Sequence, residues 1–223
     1  MLPTLAYRGT FRPVPPGNLT RTLLMAPDFT PLEIPDVLLI QTTRHVDERG
    51  YFTETYRRSA FTTIDTEFVQ DNFVRSDHRV LRGLHLQLPP KAQGKLVRVV
   101  RGEIFDVAVD LRAGSNTFCQ WVGIQMTSEQ GVQLYVPPGF AHGYLVLSEL
   151  GADVAYKVTQ EYDPSFDTGI KWDDPDIAIS WPISDPILSP KDLRLPTLAE
   201  SDLGAHFKIG DPEPANPSRS SRP

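Results

Sequence analysis

The hydrophobic positions fall into short runs bounded by Gly, Pro and Asp, and few of them follow the 3.6-residue period of a helix. Val37-Leu38-Leu39-Ile40 is the first clear strand. Asp47-Glu48-Arg49-Gly50 has a turn composition, and Tyr51-Phe52-Thr53-Glu54-Thr55-Tyr56 after it is rich in β-branched and aromatic residues, so these two runs are predicted to pair as a hairpin. A short helix is expected over 58–65. Phe68-Val69-Gln70-Asp71-Asn72-Phe73 alternates with the period of a strand and sends Gln70 and Asn72 to one side. In Leu81-Arg82-Gly83-Leu84-His85-Leu86-Gln87, His85 and Gln87 share the parity opposite to Leu84 and Leu86. Lys95-Leu96-Val97-Arg98-Val99-Val100 turns through Arg101-Gly102 into the run from Glu103 to Leu111. There Phe105, Val107, Val109 and Leu111 make an apolar face, while Ile104, Asp106, Ala108 and Asp110 make one suited to a wet lumen or to solvent.

Further strands are predicted over 118–126, 131–136, 144–147 and 154–159. Strands this short and closely spaced predict an all-β sandwich or barrel. The two ends read differently. Residues 1–33 carry Pro3, Pro13, Pro15, Pro16, Pro27 and Pro31 without a sustained period, an irregular extension either lying on the domain or partly disordered. Beyond Tyr162 the strand signal fades into loop anchored by Trp172 and Trp181. A C-terminal tail over 200–223, Pro/Ser/Arg-rich from Asp211 onward, is expected to be mobile. The 223 residues hold no Gly/Ser linker in the middle, so one domain is expected over 34–199.

Charge narrows the choice of ligand. A formal net charge of −6 argues against general affinity for nucleic acid or anionic membrane, so an anionic ligand must be held locally. A single cysteine, Cys119, forms no internal disulfide and suits a reducing compartment. No apolar run approaches the roughly 20 residues that span a bilayer, and the N-terminus lacks a basic-then-apolar order. A soluble, cytoplasmic protein is expected.

Polar groups within the strands are the candidates for chemistry. His85, partly desolvated in a lumen, suits a general base if a carboxylate orients its other nitrogen; taken alone it reads equally as a hydrogen-bonded core histidine. Lys95 shares its side with Val97 and Val99, where an ammonium is costly unless it meets an anion; the alternative is snorkelling from the strand end. Arg49, Arg82 and Lys191 lie beside turns or glycines and could grip phosphate or simply be solvated. Arg82 has the opposite parity to His85, so the two reach one ligand only through a bulge at Gly83 or with help from a neighbouring chain. Tyr156 sits mid-strand with Val154 and Val158, either as an inward proton donor or as a packing tyrosine. Asp192 is either a helix cap or the carboxylate that orients His85.

Pro138-Gly139-Phe140-Ala141-His142 gives a P-x-G-x-x-H pattern that resembles the second half of the cupin signature. Metal-binding cupins bring a His-x-His pair in the first half, where this chain has His85-Leu86-Gln87. One histidine in each half leaves too few ligands for a tight site, so no metal is expected. His45, His78 and His206 default to surface positions.

Several ordered segments together resemble one family: Asp47-Glu48-Arg49-Gly50, Phe68-Val69-Gln70-Asp71-Asn72, 81–87, Gln93-Gly94-Lys95-Leu96-Val97-Arg98, 102–112, 139–143, Tyr156-Lys157 and Lys191-Asp192. Over about residues 34–199 the chain is similar to the dTDP-4-dehydrorhamnose 3,5-epimerases, metal-independent cupin enzymes. The resemblance implies a cupin-type double-stranded β-helix, a jelly-roll barrel with a few short helices, working on a dTDP-sugar without a cofactor. It implies His85 as base, Asp192 as its orienting partner, Tyr156 as the acid on the opposite face of the sugar and Lys95 as the stabiliser of an enolate. Arg49, Glu54, Gln70, Asn72, Arg82, His142, Tyr162, Asp167 and Lys191 fall on substrate-contact positions, with Arg49 and Glu54 supplied across a homodimer interface. Such a composite site would also ease the parity conflict at Arg82.

The implied reaction inverts C3 and C5 of a dTDP-4-keto-6-deoxyhexose, since one ketone acidifies both flanking carbons. Two alternatives are an epimerase that inverts one centre only and a catalytically silent cupin that binds a sugar nucleotide. A metal-dependent cupin oxygenase is more distant. Three positions depart from the family: Cys119 stands where glycine is usual, Glu161 where an aromatic is frequent, and Asp167 where glutamate is more usual.

Overall fold

The computed structural model describes residues 26–64 and 66–207. Its strands are β1 (Asp28–Pro31), β2 (Leu38–Gln41), β3 (Arg44–Asp47), β4 (Gly50–Thr53), β5 (Gln70–Ser76), β6 (Leu81–Gln87), β7 (Lys95–Arg101), β8 (Glu103–Asp110), β9 (Trp121–Thr127), β10 (Val132–Val136), β11 (Phe140–Val146), β12 (Ala152–Val158) and β13 (Asp167–Gly169). Among the described residues, helix is confined to 3-10 turns at Arg58–Ala60, Asp192–Arg194 and Leu198–Glu200 and a single α-turn, α1 (Leu203–His206). A six-stranded sheet runs β1-β2-β10-β7-β12-β5, a five-stranded sheet runs β13-β6-β11-β8-β9, and β3 pairs with β4. All of these pairings are antiparallel. The architecture is the all-β jelly roll of the cupins, as expected.

The alternation along β8 shows why the sheets face each other. Ile104 and Ala108 point between the sheets, where they pack with Val97, Val99, Phe140 and Val154. Phe105, Val107 and Val109 point away, into a second layer with Ile170, Ile177, Leu203 and Phe207. Each such side chain, fully buried, contributes about 1.5–3 kcal/mol of transfer free energy. Trp181 closes this layer edge-on to Phe105, ring centroids 5.9 Å apart, and its indole N–H donates to the Trp172 carbonyl at 2.8 Å. The C-terminal loop is thus held by its indoles. A third cluster covers the far face of the six-stranded sheet, with Phe61 and Ile64 on Ile40, Leu96 and Tyr135.

With both faces of β8 covered, its two aspartates need partners. Asp110 is fully buried and accepts from Arg112 Nε at 2.9 Å and from the hydroxyls of Ser115 and Thr117, each at 2.6 Å. Asp106 meets His142 inside the barrel, so the polar face of this strand lines a lumen rather than solvent.

Some local expectations change. The predicted hairpin is shifted: β2 belongs to the six-stranded sheet between β1 and β10, and β4 pairs with Arg44–Asp47 instead. Val37 and Ile40 are buried, which suits a central strand better than a projecting hairpin. Within the stretch read as an irregular extension, Asp28–Pro31 forms a strand on β2. The expected helix over 58–65 is one 3-10 turn at Arg58–Ala60, with Asp65 outside the described residues. The strand placed at 68–73 begins at Gln70 and continues to Ser76. Part of the tail is anchored, since Leu203 and Phe207 join the core. The irregular course expected for 1–25 and the mobility expected for 208–223 lie outside the described residues. His45 and His78 are half-buried rather than on the surface.

Candidate active site

A cavity of about 270 Å³ opens between the two sheets. From the five-stranded side, β6 sends in His85 and Arg82 and β11 sends in His142; from the six-stranded side, β7 sends in Lys95 and β12 sends in Tyr156. Tyr162, Asp167, Lys191 and Asp192 line it as well. His85 and Tyr156 therefore open into one space from opposed walls. Gln70 and Asn72 stand beside it on the face of β5 that sends Val74 into the cavity. They hydrogen-bond each other at 2.8 Å, and the Gln70 side-chain oxygen accepts from Tyr162 N at 2.8 Å.

The parity conflict at Arg82 is resolved within the chain. His142 pairs with His85 and Tyr144 with Arg82, so one extra residue is accommodated in β6, a bulge at Gly83 where φ is +143°. That conformation favours glycine. Gly143 approaches closely, and the bulge turns Arg82 to the side of His85. Arg82 Nε donates to Ser76 Oγ at 2.9 Å, and that oxygen lies 3.2 Å from the Tyr144 hydroxyl.

His85 Nε2 lies 2.5 Å from Asp192 Oδ1, and among the described residues Nδ1 is left as the free ring nitrogen. The other carboxylate oxygen of Asp192 accepts from Ser189 Oγ at 2.8 Å. Burial pushes this carboxyl up, but the bonds from His85 and Ser189 prevail and hold it below the usual aspartate range, so it stays an anion. A second such pair lies beside it: His142 Nε2 is 2.6 Å from Asp106 Oδ1, and both side chains are buried.

Lys95 Nζ donates to the His85 carbonyl at 3.1 Å. Burial pushes its ammonium down to about 8, against the pull of the Asp167 and Asp106 carboxylates. The Tyr156 hydroxyl makes no hydrogen bond to the protein among the described residues, and burial pushes its phenol up against the opposing influence of Arg82. A phenol held protonated and without a partner is poised to donate. At the mouth, Asp167 pairs with Lys191 and accepts from the Tyr162 hydroxyl at 2.8 Å.

Arg49 and Glu54 are not brought to this chain's own cavity. Arg49 lies at the exposed tip of the β3–β4 hairpin, paired with Asp47, and Glu54 pairs with Arg57. Gln87, where metal-binding cupins have a second histidine, is used to pin loops: its amide nitrogen donates to Lys91 O at 2.7 Å and its oxygen accepts from Asp163 N at 2.7 Å.

Residues 31–200 match the family model described as dTDP-4-dehydrorhamnose 3,5-epimerase. The chain belongs to this family. It is 51% identical over 172 residues to the dTDP-4-dehydrorhamnose 3,5-epimerase of Escherichia coli K12, a match covering 75% of this chain and 92% of that protein. Among solved structures, the 3,5-epimerase of Legionella pneumophila in complex with dTDP-4-keto-L-rhamnose superimposes with a TM-score of 0.78 at 43% identity, covering 82% of this chain and 98% of that one. A 3'-monoepimerase from Streptomyces bikiniensis in complex with dTDP-quinovose gives 0.74 at 31% identity, covering 80% and 92%.

Within the epimerase family, the departure at Cys119 has a backbone counterpart. Its φ is +63°, a region in which glycine is favoured, and burial pushes its thiol up to about 11, so the thiolate is scarce. Sequence reasoning missed the side chains that brace the site: Ser76 and Tyr144 on Arg82, Ser189 on Asp192, and Asp106 on His142. The polar face of β8 signalled Asp106; the others are small or aromatic residues without a chemical signature of their own.

Proposed function

We propose that this chain converts dTDP-4-dehydro-6-deoxy-D-glucose to dTDP-4-dehydro-L-rhamnose by inverting C3 and C5. The observation that carries the reading is the placement of His85 and Tyr156 on opposite walls of one cavity, with Lys95 on the Tyr156 wall bonded to the backbone of His85. His85, oriented by Asp192, takes the proton from the carbon beside the ketone. Lys95 stabilises the enolate oxygen, and Tyr156 returns a proton to the other face. The same groups serve both carbons because one carbonyl acidifies both. Positioned proton transfer supplies about 10²–10⁴-fold, and the cation at the enolate carries much of the rest.

Arg82 and Lys191 grip the diphosphate, Arg82 as a forked donor, with His142, Gln70, Asn72, Tyr162 and Asp167 on the remainder of the substrate. Arg49 and Glu54 reach the site of a second subunit in a homodimer. Exposed Val46, Tyr51 and Phe52 on the hairpin that bears Arg49 support this, since such an apolar surface suits burial. The lone free Cys119 and the acidic chain suit the cytoplasm.

Incubation of the protein with this substrate in deuterium oxide tests the reading. Label is expected at both C3 and C5 of an inverted product. Label at one carbon alone would replace the reading with single-centre epimerisation, the activity named for the Streptomyces bikiniensis relative. Thermal stabilisation by substrate without any label would leave a silent binding protein.

A further inference from the structure

We propose that Ser189 is a positioning residue for the reaction: its hydroxyl locks the Asp192 carboxylate in the rotamer that orients His85. The inference rests on the epimerase reading of the site. Asp192 is 3% exposed, so each of its oxygens needs a partner. Oδ1 takes the His85 ring at 2.5 Å and Oδ2 takes the Ser189 hydroxyl at 2.8 Å. The proton on Ser189 can be placed by elimination. The backbone N–H of Asp192 donates to Ser189 Oγ at 3.1 Å, and an N–H only donates while a carboxylate only accepts. The one hydroxyl proton must therefore point at Oδ2.

These bonds form a reciprocal cap. Leu193 N donates to the Ser189 carbonyl at 3.1 Å, which starts a helical turn at Ser189, and Pro190 follows at the first position of the turn, where its missing N–H costs nothing. Serine caps such a turn by accepting from the N–H three residues on. Here the residue three on is Asp192. Cap and orienting carboxylate are the same structure, so the turn that begins at Ser189 also sets the angle of the base. Without the hydroxyl, Asp192 Oδ2 keeps no partner among the described residues and the side chain gains freedom about its own bonds.

Substitution at position 189 separates the catalytic role from the structural one. Glycine is nearly as good a helix cap as serine, so Ser189→Gly removes the hydroxyl while sparing the turn, and Ser189→Thr retains it. In Ser189→Gly, kcat is expected to fall by about 10-fold to 100-fold, as small misplacements of a reacting group do, with KM for dTDP-4-dehydro-6-deoxy-D-glucose within about twofold. The acid limb of the kcat/KM profile is expected at higher pH, because a carboxylate relieved of one hydrogen bond is the stronger acceptor for the imidazole proton. Ser189→Thr is expected to restore both. Wild-type kcat and pH profile in Ser189→Gly would overturn the proposal, as would a threonine variant as impaired as the glycine one. Absence of turnover in the unmodified protein would instead overturn the epimerase reading.

Discussion

A β-carbon on Gly83 would lie 2.6 Å from the α-carbon of Gly143. This approach between β6 and β11 permits the bulge that turns Arg82 to the side of His85, so two glycines without chemistry of their own set the geometry of the site. Gly83→Ala is expected to destabilise the protein by about 1–3 kcal/mol through combined backbone strain and overpacking, and to lower kcat/KM more than Gly114→Ala. Gly114 also has a positive φ, +85°, but nothing lies within 4 Å of the β-carbon it would gain. Chemical denaturation and steady-state kinetics on both variants check this.

Asp192 can only accept from His85 Nε2, which fixes the neutral ring with its lone pair on Nδ1. An amide at that position can donate instead and stabilise the wrong tautomer. Asp192→Asn is therefore expected to lose about 10²–10⁴-fold in kcat with KM little changed, as measured by initial rates on dTDP-4-dehydro-6-deoxy-D-glucose.

Lys95 gives the alkaline side of the pH profile. Its ammonium is pushed down to about 8, so the charge is present below that pH and lost above it. The kcat/KM profile reports the free enzyme and should fall as pH rises through about 8. Lys95→Arg keeps its charge far beyond this range and should remove that limb at whatever rate it sustains, and Lys95→Met should be nearly inactive at every pH. A flat alkaline profile in the unmodified enzyme would show that Lys95 does not carry the enolate.

The proposed supply of Arg49 across a homodimer predicts complementation. Arg49→Ala and His85→Asn are each expected to be inactive alone, yet a mixed dimer carries one site with both residues intact. Random exchange of two-fold dimers makes half of them mixed, so about a quarter of wild-type activity should return on mixing after subunit exchange. No recovery despite demonstrated exchange would place Arg49 outside the site.

Much of this arrangement was legible in side-chain parity. The period of two placed Lys95 with Val97 and Tyr156 with Val154, and the structure turns all four inward. It also showed that Ile104, Asp106, Ala108 and Asp110 share a wall. Parity failed where a strand departs from regular pairing, and so the bulge at Gly83 could be posed only as an alternative. Long-range pairing was equally hidden: β2 takes β10 as its neighbour, and nothing local to Leu38–Gln41 identifies that partner. The bond between His85 and Asp192 spans 107 positions of sequence and depends on how the C-terminal loop crosses the barrel. At Cys119 a left-handed backbone conformation is carried by a residue that gives no sign of it.

In the proposed reaction His85 and Tyr156 act on opposite faces of one bound ketose. Proton exchange and inversion, followed together by NMR in deuterium oxide for the unmodified protein, His85→Asn and Tyr156→Phe, test it most directly. Label and inversion at C3 and C5 are expected in the first, neither in His85→Asn, and label with little inversion in Tyr156→Phe. Continued exchange in His85→Asn, or inversion at the unmodified rate in Tyr156→Phe, would contradict it.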